Sequence, residues 1–149
     1  MEIIIGSDHA GYTAKEKIKK FFDMPDKGYN FVDVGCYSPA SVDYPDIAEK
    51  VAKQVNKKNS LGILVCATGI GMSIAANKFK DIRAALCYNE DSAKLSRQHN
   101  DANILCLGAK LSAENKILKI VDVWLKTPFS KEERHKRRIA KIKEIENKN

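Results

Sequence analysis

Short apolar runs rich in β-branched residues alternate with stretches of helical periodicity along this 149-residue chain. Glu2–Gly6, Tyr29–Val34, Leu61–Cys66, Ile82–Cys87 and Ile104–Gly108 read as strands, and Leu61–Cys66 is too apolar to have a wet face. Between them, Thr13–Phe22, Asp46–Lys57, Met72–Phe79 and Asp91–His99 read as helices. Ala14, Ile18, Phe21 and Phe22 line one helix face, and Ile47, Val51, Ala52 and Val55 another. After the last strand, Glu114–Lys126 carries Ile117, Ile120, Val121, Trp124 and Leu125 on one stripe until Pro128 stops it. Ser130, with Glu133 three residues on, reads as the capping box of a final helix. Strands separated by helices imply an α/β fold: a three-layer α/β/α Rossmann-like sandwich with a five-stranded parallel sheet. No internal repeat or second domain interrupts it, so residues 1–149 are expected to form one domain. The final helix has only Ile139, Ile142 and Ile145 as its apolar stripe. That is thin for docking on its own core, and the helix is expected to pack on a partner subunit.

Composition removes several classes. With 44% hydrophobic and 30% charged residues the chain has an ordinary globular balance, which argues against disorder. No apolar run approaches the ~18 residues of a membrane helix. The start, Met1-Glu2-Ile3-Ile4-Ile5-Gly6, lacks the basic segment and cleavage site of a signal peptide. Cys36, Cys66, Cys87 and Cys106 are far apart, with no Cys-x-x-Cys pair, which speaks against a disulfide framework or a structural zinc site. Free thiols without an export signal point to the cytoplasm. The net charge of +7 is concentrated in the tail: residues 126–149 hold nine Lys/Arg and four Glu, leaving 17 basic and 15 acidic side chains elsewhere. Such a tail suits a solvated helix face, nucleic acid or a small anionic ligand.

Right-handed crossovers send every strand's C-terminal end to one rim, where ligands of such folds bind. The residues expected there are Ser7-Asp8-His9, Asp43-Tyr44, Cys66-Ala67-Thr68-Gly69-Ile70-Gly71, Arg97-Gln98-His99-Asn100-Asp101 and Ala109-Lys110. Gly69 and Gly71 allow a sharp turn into a helix, leaving N–H groups that can bind a phosphate or an oxyanion; an empty β–α turn has the same sequence. The stretch is neither a dinucleotide fingerprint, since it lacks the third glycine, nor a P-loop, since no Gly-Lys-Ser/Thr follows. Cys87 and Cys106 read as core residues. Cys66, at the end of a buried strand and beside a helix N-terminus, reads either as a small core residue or as a thiol whose lowered pKa makes it a usable base or nucleophile. His9 and His99, with Asp8 and Asp43 in neighbouring loops, suit proton transfer or anion binding. Arg134 and Arg138, four apart, share a helix face that could grip a phosphate or simply be solvated.

Taken together, Gly6-Ser7-Asp8-His9-Ala10-Gly11, Ser41-Val42-Asp43-Tyr44-Pro45, the block from Cys66 to Lys78, Ser96-Arg97-Gln98-His99-Asn100-Asp101-Ala102-Asn103 and Arg134-His135-Lys136-Arg137-Arg138 resemble type B ribose-5-phosphate isomerase. The resemblance spans essentially the whole chain. It implies interconversion of ribose 5-phosphate and ribulose 5-phosphate through an enediolate, in the non-oxidative pentose phosphate pathway. It implies a homodimer with shared active sites, sometimes paired into tetramers, and no metal or organic cofactor. By the same resemblance Cys66 is the base between C2 and C1, and the backbone of Ala67, Thr68, Gly69, Ile70 and Gly71, with the Thr68 hydroxyl, holds the oxyanion. His99 opens the furanose ring with help from Asp43. Asp8, Tyr44 and Asn100 hold sugar hydroxyls, and His9, Arg134 and Arg138 hold the phosphate. Lys110, among the substrate-binding positions, stands where the family usually has arginine; lysine keeps the charge but lacks the planar fork. One branch of the family replaces the cysteine with a glutamate at the position of Met72; this chain has Cys66 and no acid there.

Two other readings compete. The same chemistry on a six-carbon sugar phosphate, allose or galactose 6-phosphate, differs only in pocket length. A non-enzymatic nucleic-acid binder would use the basic tail, but from Lys131 on the tail has no aromatic residue among its charges. No nucleic acid or membrane is therefore expected as a partner.

Overall fold

The computed structural model describes residues 1–58 and 60–148, with backbone only at 56–58. Its strands are β1 (Glu2–Ser7), β2 (Asn30–Asp33), β3 (Leu61–Cys66), β4 (Ala84–Leu86) and β5 (Ile104–Gly108). Its helices are α1 (Tyr12–Phe22), α2 (Tyr44–Lys58), α3 (Ile70–Ala76), α4 (Glu90–Asn100), α5 (Glu114–Lys126) and α6 (Glu133–Glu146). All the strands pair in parallel, in the order β2-β1-β3-β5-β4.

The period of two along each strand divides the core. Ile3, Ile5, Ile63, Val65, Leu105 and Leu107 point to one face, under α1, α4 and α5. Ile4, Leu64, Cys66, Ile104 and Cys106 point to the other, under α2 and α3. Helices therefore cover both faces, as the apolar strands require. The chain moves outward from β1 to β2 with α1 on the first face, and moves the opposite way through α2 and α3 on the second. It returns from β4 to β5 with α4 on the first face again. Each reversal of direction changes face, as crossovers of uniform hand demand.

Several boundaries differ from the sequence pattern, for local reasons. Helix α3 begins at Ile70 and ends at Ala76, because Asn77 leaves the helix to bond β4. Its side-chain amide donates to Ala84 O at 2.8 Å and accepts from Ala84 N at 2.9 Å. The Asn103 side chain likewise accepts the Arg83 N–H at 2.8 Å, so only Ala84–Leu86 of the expected fourth strand is laddered. The capping box at Ser130 does not form. Ser130 N donates to Gln98 O at 3.2 Å, Lys131 turns the chain at φ 58°, and α6 starts after Glu132 with no side-chain cap. Helix α6 belongs to neither core cluster, and Ile142 and Ile145 are exposed.

Candidate active site

Adjacent β1 and β3 lead into helices on opposite faces, which makes the gap between their C-terminal ends the topological switch point where sheets of this kind bind ligands. Asp8 and Cys66 flank it. Asp8 is buried; its backbone N–H bonds Val65 O at 3.1 Å, and its Oδ1 accepts the Gly11 N–H at 2.9 Å. Gly11 is needed because a Cβ there would lie 2.3 Å from Val65 O. His9 is exposed and accepts the Val42 N–H on Nδ1 at 3.4 Å, tying this loop to the one that carries Asp43 and Tyr44.

Cys66 is 5% exposed at the end of β3, and its Sγ accepts the Gly69 N–H at 3.0 Å. The turn that aims this amide at the sulfur has Gly69 at φ 78°. Thr68 Oγ1 accepts the Ile70 N–H at 3.3 Å, which leaves its hydroxyl hydrogen free to donate. The chain after β5 clamps the same loop, with Ala109 N on Cys66 O at 2.8 Å and Lys110 N on Ala67 O at 2.9 Å. On the α2/α3 side of the sheet the Tyr44 ring lies against Gly71, where a Cβ would come within 2.7 Å of its carbons. The arrangement is a thiol beside a nest of amides, with acids and an imidazole at its edge. That is machinery for moving a proton at carbon while holding an oxyanion.

Burial pushes the Cys106 thiol well above its ordinary pKa, and burial also raises that of Cys87. Both are core residues as expected, and Cys36 is buried with its thiol donating to Ser38 O at 3.1 Å.

The expectation that His99 and Asn100 share this rim is corrected. Helix α4 runs antiparallel to the strands, so its last turn returns to the edge where strands begin. There Arg83 Nε donates to Asn100 O, and Ala102 N to Ser96 O, both at 3.0 Å. Strand β3 alone separates the two edges by about 16 Å. Arg134, Arg138 and α6 lie on the His99 side. His99 stacks on the buried His135, with ring centroids 4.2 Å apart and planes 12° apart. Arg134 Nε is held by Glu132 at 2.7 Å. One chain thus gathers Asp8, His9, Asp43, Tyr44, residues 66–71 and Lys110 at one end, and His99, Asn100, Arg134 and Arg138 at the other. His135 was not among the expected site residues; its only sequence signal is its place beside Arg134.

The ribose/galactose isomerase family model matches residues 3–142. Ribose-5-phosphate isomerase B of Escherichia coli K12 is 40% identical over 146 residues, covering 97% of this chain and 96% of that protein. A Clostridium thermocellum ribose-5-phosphate isomerase B structure superposes with a TM-score of 0.95 at 49% identity, covering 99% of each chain. The Mycoplasma genitalium ribose-5-phosphate isomerase B, solved with bound ribulose-5-phosphate, gives a TM-score of 0.92 at 44% identity, covering 99% of this chain and 97% of that one.

Proposed function

The chain belongs to the ribose/galactose isomerase family, and from that premise we propose that it is a ribose-5-phosphate isomerase, an aldose–ketose isomerase with Cys66 as its base. The observation that carries the reading is the Gly69 N–H on the Cys66 sulfur at the C-terminal end of β3. In the open-chain aldose, Cys66 Sγ takes the proton from C2. The C2–H electron pair becomes the C1=C2 bond, and the C1 carbonyl pair moves onto O1. The amides of residues 67–71 and the Thr68 hydroxyl hold that oxyanion, a role in which one lost donor costs ~10²–10³ in rate. The thiol then returns the proton to C1, and the proton of the C2 hydroxyl passes to O1, leaving the ketose.

Ring opening falls to His99, with Asp43 assisting, while Asp8, Tyr44 and Asn100 hold hydroxyls. His9, Arg134 and Arg138 take the phosphate, with Lys110 as a point charge beside them. Since His99 and Cys66 stand at opposite edges of one sheet, a homodimer supplies the missing half. A two-fold axis turns the His99 edge of one copy to the Cys66 edge of the other. The exposed Ile142 and Ile145 on α6, and Ile70 and Ile74 on α3, are apolar surface for that contact. Among the described residues no helix is long and apolar enough to cross a membrane, and four free buried thiols suit the reducing cytoplasm.

The test is Cys66→Ser assayed on ribose 5-phosphate in deuterated water. The expected result is a loss of ~10²–10⁴ in kcat with the fold intact and no deuterium entering the sugar. Near-normal turnover would mean that another base operates. Higher kcat/KM on allose 6-phosphate than on ribose 5-phosphate would reassign the substrate to the six-carbon class.

A further inference from the structure

We infer that His135 is a positioning residue for the ring-opening imidazole: its flat face, stacked on His99, fixes the plane of that ring and ties it to the helix carrying Arg134 and Arg138. The inference rests on the isomerase reading above and extends it to a residue that touches no substrate.

The His135 side chain is 3% exposed, and its Nε2 has no hydrogen-bond partner, Glu132 being 3.9 Å away. A buried imidazole that makes no hydrogen bond through that nitrogen is a poor choice for stability alone, since an apolar side chain would avoid the unsatisfied group. What the ring does make is a near-parallel contact with His99. His99 occupies the last turn of α4, next to Asn100 and the left-handed Asp101, where the preceding turn limits χ1 but leaves χ2, the plane of the ring, loosely set. The stack covers one face of His99 and leaves the rest of its half-buried ring open.

The same contact joins α6 to α4. The far end of α6 is tied separately by Lys143 Nζ to Asp81 at 2.9 Å, and by Glu146 Oε1 accepting the Asp81 N–H at 2.8 Å. His135 therefore sets the near end of the helix. Arg134 precedes it by one residue and Arg138 follows by three, so the phosphate grip and the ring-opening group are held in one register. Proton transfer to a furanose oxygen demands such register, because a 1 Å misplacement can cost ~10²-fold.

The experiment compares His135→Leu with His135→Phe. Both fill the buried site and remove the orphaned nitrogen, but only phenylalanine restores a flat face. Two readouts separate positioning from structure. Ribose 5-phosphate is mostly a closed furanose and needs ring opening. Ribulose 5-phosphate cannot close a furanose, because its C5 oxygen is esterified, and exchange of its C1 hydrogen with solvent reports proton transfer alone. His135→Leu is expected to lose about tenfold in kcat on ribose 5-phosphate with exchange from ribulose 5-phosphate unchanged. His135→Phe is expected to keep the wild-type ratio of the two rates, and His99→Asn to mimic the leucine variant. A merely structural role would loosen Arg134 and Arg138 and raise KM for both compounds together.

Equal losses in both assays, a leucine variant at the wild-type rate, or a phenylalanine variant as selective in its loss as leucine would each overturn the inference. If the leucine variant does not fold, the phenylalanine variant decides alone, by keeping or losing the wild-type ratio. Wild-type protein inactive in both assays would instead sink the isomerase reading beneath it.

Discussion

The backbone amide of Gly69 donates to the sulfur of Cys66 at 3.0 Å, three residues back along the chain. This contact exists only because Gly69 sits in the left-handed region at φ 78°, which residues with a Cβ enter at a cost of roughly 1–2 kcal/mol. A Cβ at Gly69 would also lie 2.5 Å from Leu86 Cδ1 and 2.9 Å from the Leu107 carbonyl carbon. The turn that aims the amide is held by β4 and β5 as much as by its own sequence.

Gly69→Ala is accordingly expected to lose about 2–3 kcal/mol of stability and nearly all turnover. Gly28→Ala is the control. It shares a positive φ, 71°, but has nothing within 4 Å of the added carbon. It should cost only the backbone share and leave kcat alone. Thermal melts and steady-state rates on the two variants check this.

The proposed sharing of sites between two subunits predicts complementation. Cys66→Ser disables one edge of the chain, and Arg138→Ala, an exposed residue of α6, disables the other. Each variant alone should be nearly inactive. Refolded together at equal amounts, random pairing makes about half of the dimers hybrids, each with one intact site. About a quarter of wild-type activity should return. A mixture no better than its parts would mean that each chain builds its site unaided.

The stack on His99 predicts a pH dependence of stability. Burial, then the neighbouring charges of His99 and Arg134 and, more weakly, Arg138, hold the His135 imidazole below its ordinary pKa of 6.5, with Glu132 pulling the other way. The unfolded chain therefore binds a proton that the folded chain refuses, and the unfolding free energy falls as pH falls. The contribution is complete above pH 6.5 and is lost progressively below it. Melting temperatures between about pH 7.5 and about pH 5.5 should drop further for the wild type than for His135→Phe, which cannot take up that proton.

A buried ion pair predicts a large loss from a small change. Lys15 is fully buried, and its Nζ meets Asp33 Oδ2 at 2.5 Å, with Lys19 at 2.6 Å on the same oxygen. Burial works against the Asp33 carboxylate, but the hydrogen bonds from Lys15, Lys19 and the Gly35 amide outweigh it and hold its pKa below the usual range. Asp33→Asn leaves the Lys15 charge in the core with only the exposed Glu16 carboxylate, 3.0 Å away, as an anionic partner, a loss approaching the ~3–5 kcal/mol of a broken buried pair. Asp33 also anchors the chain leading to Asp43: its Oδ1 accepts the Gly35 N–H at 3.0 Å, and its carbonyl accepts the Tyr37 hydroxyl at 3.0 Å. Urea unfolding of the variant should show the loss, and a midpoint equal to that of the wild type would contradict it.

Strand and helix identity was legible in the residues because each is a local pattern: Ile3-Ile4-Ile5 and Ile63-Leu64-Val65 read as strands buried on both faces from their shortness and their β-branched residues. The glycine turn after Cys66 was legible for the same reason, since Gly69 declares a left-handed backbone directly, whereas Gly71 is helical and gives up its Cβ to the Tyr44 ring, a contact no local pattern shows. The element ends were not, where a side chain from elsewhere took over a backbone bond, as Asn77 and Asn103 do around β4.

Sequence alone determined the alternation of elements, the parallel sheet and the identity of the loop around the thiol, because these follow from periodicity and from the freedom of single residues. Tertiary structure decided which loops meet. A helix crossing back over a parallel sheet delivers its end to the edge opposite the one it left, so His99 stands away from Cys66 and beside His135. No local pattern encodes that displacement, which arises from the direction in which packed elements run.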